Sequence, residues 1–223
     1  MDALMIGVSG MRGTVGGTLT PAVVSRMAGA FAVWLSQERP PTQARALRVV
    51  FGRDSRPSGT WVRDAAVATL VAAGVEIIDL GIVTTPGVAM MSRHLSADGA
   101  VIATASHNPI QWNGLKLLNS NGAALPSADS KRIGVLFGES ATHLAAVERL
   151  IEPVRNTETH ALHVKRVLEH VDVLGISSKR FKTVLDSVNG AGCVATATLM
   201  SKLGCQLVHI NNTPDGRFPH DPE

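Results

Sequence analysis

Two rhythms of apolar and polar residues alternate along the chain. Short, nearly unbroken apolar runs at 4–8, 46–52, 75–80, 100–103, 115–118, 181–185 and 206–210 have the length and β-branched content of buried strands. Between them the period lengthens to that of a helix. After Thr20-Pro21, a cap followed by a proline at the first helical position, Val23, Val24, Met27, Phe31 and Leu35 share one face until Pro40. Ser58 can cap a second helix whose stripe runs through Val62, Ala65, Ala66, Thr69, Leu70 and Ala73 to Gly74, a natural terminator. Pro86 opens a short helix carrying Val88, Met90, Met91 and Leu95, and further helices are expected over 127–137 and 162–171. Strands alternating with helices of this length predict an α/β protein, a layered α/β/α domain. The turn at Asn121-Gly122 suggests an antiparallel hairpin, so the sheet should be mixed.

The order strand, polar glycine-containing turn, helix, glycine, strand occurs twice, over 47–80 and again over 181–210. Gly74 and Gly204 set the offset of this proposed repeat at about 130 residues. The expected organisation is a first domain over 1–150, a linker and connecting helix over 151–178 marked by Glu152-Pro153 and the polar 155–159, and the start of a second, similar α/β domain over 179–223. Adding the offset to position 106 points beyond Glu223, so the second domain is expected to be truncated.

Composition narrows the classes. The 223 residues are 45% hydrophobic, enough for a real core. A formal net charge of +3 without a long run of like charges, and 4% aromatic residues, argue against a nucleic-acid surface and suit a small anionic ligand. No apolar stretch approaches the ~20 residues of a membrane span, and the start MDALMIGVSG does not read as a signal peptide. Cys193 and Cys205 are too few and too distant for a disulfide scaffold or a CxxC site, so a cytoplasmic location is expected. His160, His163 and His170 lie in the connecting segment; His163 and His170 share a helical face but lie too far apart for an ordinary metal pair, so both read as surface or interdomain histidines.

Candidate chemistry concentrates in the stretch 98–116, DGAVIATASHNPIQWNGLK. Ser106 stands where a buried strand ends, the position that nucleophiles favour in open α/β sheets; Ser106, His107 and Asn108 also read simply as a polar turn. Residues 9–17 form a glycine-rich loop with one cation, Arg12, either a phosphate cradle or a solvated connection. Arg53 and Asp54, adjacent and opposite in charge, are expected to pair and fix a strand end.

The hexapeptide Thr104-Ala105-Ser106-His107-Asn108-Pro109 with Asn113-Gly114-Leu115-Lys116 resembles the active-site loop of the α-D-phosphohexomutases, a family of phosphoglucomutases, phosphomannomutases and phosphoglucosamine mutases. Ser9-Gly10-Met11-Arg12-Gly13 and Gly52-Arg53-Asp54-Ser55-Arg56 match in the right order upstream. SGMRG followed by LTP is slightly more similar to the phosphoglucosamine members, without deciding the sugar. The resemblance implies a catalytic set of Ser106, which carries a phosphoryl group, Lys116 as general base or acid, and His107, which contacts phosphate and positions the serine loop; Arg12 and Asn108 join these three as phosphate contacts. It also implies Mg²⁺ held partly through the phosphate on Ser106, a hexose bisphosphate as intermediate and activator, and hexose or hexosamine phosphates as substrates. The chain looks like the first half of a four-domain enzyme, and the family's aspartate-rich metal loop is absent from it. The fragment alone is therefore expected to be inactive and to need the missing C-terminal domains.

Two other readings are weighed against this one. A non-catalytic sugar-phosphate-binding or assembly domain would keep the loop without the metal site. A serine hydrolase would need an oriented base and an oxyanion hole, and the chain has no G-x-S-x-G elbow.

Overall fold

The computed structural model describes residues 3–8, 10–40 and 45–221; Ser9 of the SGMRG motif lies outside the described residues. One seven-stranded sheet organises the first two thirds of the chain. Its strands are β1 (Met5–Gly7), β2 (Gly10–Thr14), β3 (Arg48–Arg53), β4 (Glu76–Ile82), β5 (Gly99–Ala103), β6 (Trp112–Asn119) and β7 (Val154–Arg155), in the spatial order β1-β2-β6-β5-β3-β4-β7. The sheet is mixed as expected. β3 lies parallel to β4 and β5, and β4 parallel to β7, whereas β5–β6, β6–β2 and β2–β1 are antiparallel.

Side-chain alternation divides the core between the two faces of this sheet. Val49, Phe51, Val101 and Ala103 point to one side, where they pack with α1 (Pro21–Glu38), α2 (Gly59–Ala72) and α4 (Ser127–Gly138). Val50, Ala100 and Ile102 point to the other, against Val88 and Met91 of α3 (Thr85–His94) and Leu162 of α5 (Thr159–Leu168). β5 is buried at every residue, as a strand covered on both faces must be. The caps follow from chemistry: Thr20 Oγ1 accepts from Val23 N at 3.3 Å and Thr84 Oγ1 from Gly87 N at 3.3 Å, each with a proline in the first turn.

At the end of β5 away from Ser106, the buried Asp98 carboxylate accepts from Arg45 at 2.7 and 3.0 Å, from Arg39 at 3.4 Å and from Arg48 N at 2.8 Å. Burial works to raise this carboxyl, but the bonds and charge of the arginines outweigh it and hold it below its ordinary value.

Beyond α5, a short α6 (Val173–Ser178) leads to β8 (Lys182–Asp186), α7 (Cys193–Lys202) and β9 (Gln206–Ile210). β8 and β9 pair in parallel as a separate two-stranded sheet, and α5 packs on both α3 and α7. No helix among the described residues is long and apolar enough to cross a membrane.

Four local expectations are corrected. Residues 10–14 are a strand, not a glycine-rich loop, because β6 supplies a partner for their backbone. The polar segment after Pro153 begins with β7, held on the edge by β4 and by Arg155, whose guanidinium lies 3.4 Å from Asp79. Asn121-Gly122 closes only a single antiparallel bridge, Leu118 to Ala124, and the antiparallel part of the sheet comes from β1, β2, β5 and β6 instead. Ser58 occupies the cap position of α2 without a capping bond: its backbone is already helical at φ −70° and ψ −13°, and its hydroxyl accepts from Asn113 Nδ2 at 2.8 Å.

Candidate active site

Ser106 lies three residues past the end of β5, exposed, with a backbone φ of +58°. That left-handed conformation is uncommon for a residue other than glycine and persists only where the surroundings impose it. Both flanking peptide groups are held. Ser106 N donates to Thr104 Oγ1 at 3.1 Å, and Thr104 Oγ1 in turn donates to Asp54 Oδ2 at 2.7 Å. Ser106 O accepts from Arg56 Nη2 at 2.9 Å.

Arg56 is the side chain that the sequence did not single out. Although it is an arginine, it is 0% exposed, and it spends all five of its N–H donors. Nε donates to Asp54 Oδ2 at 3.0 Å; Nη1 donates to the carbonyls of Pro109 at 2.7 Å and Trp112 at 3.0 Å; Nη2 reaches Asn108 O at 2.6 Å as well as Ser106 O. Asp54 Oδ1 also accepts from Arg56 N at 3.0 Å. Burial pushes the Arg56 guanidinium down from its ordinary value, and Asp54 pulls it back up, so it stays a cation in any ordinary buffer. The expected Arg53–Asp54 pair is therefore replaced: Asp54 balances Arg56, and Arg53 Nη1 donates to the backbone carbonyl of Asp54 at 3.2 Å.

Two cavities meet at Ser106. The smaller, about 70 Å³, is lined by Met11, Arg12, Thr104, Ser106, Leu115 and Lys116. Arg12 comes from β2 and Lys116 from β6, and the antiparallel register that sets Arg12 opposite Gly114 brings both cations beside the serine. The larger, about 300 Å³, lies on the other side, between the seven-stranded sheet and the C-terminal unit; His107, Asp54, Thr84 and Thr85 face Val188, Gly190, Ala191 and Phe218 across it. The sequence-predicted residues thus divide. Arg12, Ser106 and Lys116 converge on one cavity, His107 lines the other, and Asn108 turns inward to donate from Nδ2 to Ala105 O at 2.7 Å.

Among the described residues no group of three or more His, Cys, Asp or Glu side chains could hold a metal ion. Asp54, the carboxylate that lines the larger cavity with Ser106, already accepts from Arg56 and Thr104 on its two oxygens. His160 titrates below its ordinary value, chiefly because it is desolvated, an effect that the backbone of Ile82 opposes and the neighbouring His163 reinforces.

The fold is a three-layer α/β domain that carries a serine just past the end of a buried central strand, with Arg12 and Lys116 lining the same small cavity. Residues 3–142 match the family model described as phosphoglucomutase/phosphomannomutase, alpha/beta/alpha domain I, and the chain belongs to that family. It is 36% identical over 220 residues to a phosphoglucomutase/phosphomannomutase of Thermococcus kodakarensis, covering 98% of this chain and 47% of the relative. A phosphoglucosamine mutase of Alkaliphilus oremlandii is 31% identical, covering 95% and 46%. Among solved structures, a phosphoglucomutase/phosphomannomutase family protein from Burkholderia thailandensis superposes with a TM-score of 0.78 at 26% identity, covering 97% of this chain and 46% of that one. The chain spans about half the length of the curated relatives it matches.

Proposed function

We propose that this chain is the phosphoserine-bearing part of a phosphohexomutase that interconverts the 1- and 6-phosphates of a hexose or hexosamine. The observation that carries the reading is the convergence of Arg12, Ser106 and Lys116 on one cavity at the end of a fully buried strand. The names of the relatives, which span glucose, mannose and glucosamine phosphates, support a hexose phosphate as substrate.

In the first half-reaction a hydroxyl of the sugar monophosphate attacks the phosphorus of phospho-Ser106. The P–Oγ bond breaks as the new P–O bond to the sugar forms, and the hydroxyl proton passes to Lys116 Nζ. The bisphosphate then turns over, and its other phosphate returns to Ser106 Oγ while Lys116 gives a proton to the departing sugar oxygen. Arg12 contributes fixed positive charge beside the transferring group, and His107 and Asn108 shape the loop that presents the serine.

The resemblance also implies Mg²⁺, for which phospho-Ser106 would be one ligand. The described residues do not supply the remaining oxygens, because the Asp54 carboxylate is committed to Arg56 and Thr104. No step above depends on the ion. On this reading residues 1–150 form the loop-bearing domain, 151–178 a connector and 179–223 the opening of a second domain, so residues 1–223 alone should show no mutase activity.

Ser106→Ala in the full-length protein tests the proposal. Intact mass should find one added phosphate on the wild type and none on the variant, and kcat should fall by about 10³-fold or more. Undiminished isomerisation would reject it.

A further inference from the structure

We propose that Arg56 is a positioning residue for Ser106, working beneath a seal that Phe218 supplies from the C-terminal unit; this rests on the phosphoserine reading above. The loop from Thr104 to Trp112 leaves the sheet and re-enters it, and four of its carbonyls, those of Ser106, Asn108, Pro109 and Trp112, turn inward to one guanidinium. Without Arg56 the carbonyls of Ser106, Asn108 and Trp112 would lose their guanidinium donors, Pro109 O would keep only Trp112 N at 3.0 Å, and the loop would have to refold to hydrate them. With every N–H committed, Arg56 has no donor left for a sugar or a phosphate. Its role lies in the backbone of the loop.

That backbone fixes the serine. At φ +58° the direction of the Ser106 side chain is set by the two peptide groups around it. The peptide N–H is tied through Thr104 to Asp54, and the carbonyl through Arg56 to the same Asp54. One carboxylate thus anchors both ends of the strained residue. A planar fork with five donors can span four carbonyls and a carboxylate at once; an ammonium with three donors at one point cannot.

The cover comes from a distant part of the chain. The Phe218 ring lies over the guanidinium, 5.0 Å from Cζ to the ring centroid, and Gly216 rests on the backbone of Ser55 and Arg56. Because water reaching the guanidinium would compete for its donors, seating of segment 216–218 tightens the serine loop in the other half of the molecule.

The test uses the full-length protein: wild type, Arg56→Met, Arg56→Lys, Thr104→Val and Phe218→Ala, with kcat and KM for hexose 1-phosphate and the rate of Ser106 phosphorylation by hexose 1,6-bisphosphate read by intact mass. Misplacing a reacting group by about 1 Å costs on the order of 100-fold. R56M should therefore lower kcat and the phosphorylation rate by about 100-fold with KM within about threefold of wild type. R56K, which keeps the charge and loses the fork, should recover less than about a tenth of the wild-type rate. F218A and T104V should each lose about 5- to 10-fold in kcat at unchanged KM. Full rescue by R56K, or a folded R56M with wild-type kcat, overturns the proposal. Should R56M fail to fold, wild-type kcat in both F218A and T104V overturns it, and a kcat-only loss in both upholds it. A wild type that never phosphorylates Ser106 rejects the mutase reading itself, an outcome distinct from an active wild type with an indifferent Arg56.

Discussion

The unit β3-α2-β4 and the unit β8-α7-β9 are built on one plan and live in different surroundings. In each, two parallel strands are joined by a helix that ends at a left-handed glycine, Gly74 at φ +75° and Gly204 at φ +70°. Each first strand runs out at an aspartate, Asp54 or Asp186. Yet Val49, Val50 and Phe51 of β3 are 0% exposed, whereas Val184 of β8 is 70% and Val208 of β9 59% exposed. β3 has a strand on either edge and helices on either face; among the described residues β8 pairs with β9 alone. Local sequence is enough to write a β-α-β unit, but burial is conferred by neighbours. The proposed reactive serine sits on the unit that has them, beside β3 at the end of β5, where a strained loop can be held in place.

That contrast predicts a large asymmetry in stability. Phe51→Ala should destabilise by about 3–5 kcal/mol, because a fully buried ring leaves a cavity that helices on one face and flanking strands cannot close. Val184→Ala, on the open strand, should change stability by no more than about 0.5 kcal/mol. Urea unfolding of the two variants, both made in residues 1–223, reads the difference directly; equal losses would mean that β8 is covered in solution. The glycines should behave alike despite their surroundings. A Cβ at Gly74 would come within 2.9 Å of Ala145 Cβ, and one at Gly204 within 3.0 Å of Ser177 Cβ, each at a backbone angle that disfavours any L side chain. Gly74→Ala and Gly204→Ala should each cost about 1–2 kcal/mol in the same assay. A loss at Gly74 alone would break the equivalence of the two turns.

What was legible in the sequence follows the same divide between local and long-range causes. α1 is announced by its Thr20-Pro21 cap, α3 by Pro86, and α2 by its apolar stripe and Gly74, because those signals act within a few residues. β2 was not legible. Gly10-Met11-Arg12-Gly13-Thr14 reads as a loop on its glycines, but a Cβ at Gly10 would collide with Leu115 O and one at Gly114 with Met11 O. The glycines allow two strands to approach closely, and the partner is about a hundred residues away. Arg56 was hidden for a similar reason: its loop acceptors lie 50 to 56 residues along the chain, and nothing local marks an arginine as buried. The Ser106 stretch could be found because strand, turn and strand are contiguous; that Arg12 and Lys116 share its cavity required the register of β2 against β6.

The smallest expected effect separates the two strand-end aspartates by their partners. Asp54 faces a buried guanidinium, a permanent cation, whereas Asp186 faces His220 Nε2 at 2.9 Å in the open, with Asn211 and Val188 N also donating to it. His220, Asn211 and the Val188 amide together hold the Asp186 carboxyl down at about 2, and Asp186 with the carbonyl of Asp221 raises His220 above its ordinary value. A depressed carboxyl contributes stability above its unfolded pKa of ~3.9 and loses it as pH falls through about 2. A raised imidazole contributes fully below its unfolded pKa of ~6.5 and loses that as pH rises through its folded value. The pair should therefore stabilise the C-terminal unit most between about pH 4 and 6.5, and less in high salt because both groups are solvated. Following the His220 ring by NMR, Asp186→Asn should move its titration midpoint downward, and His220→Ala should lower the urea midpoint within that window and leave it unchanged at pH 9. An unmoved His220 midpoint in D186N would show that the open strand end has no ion pair to set against the buried one.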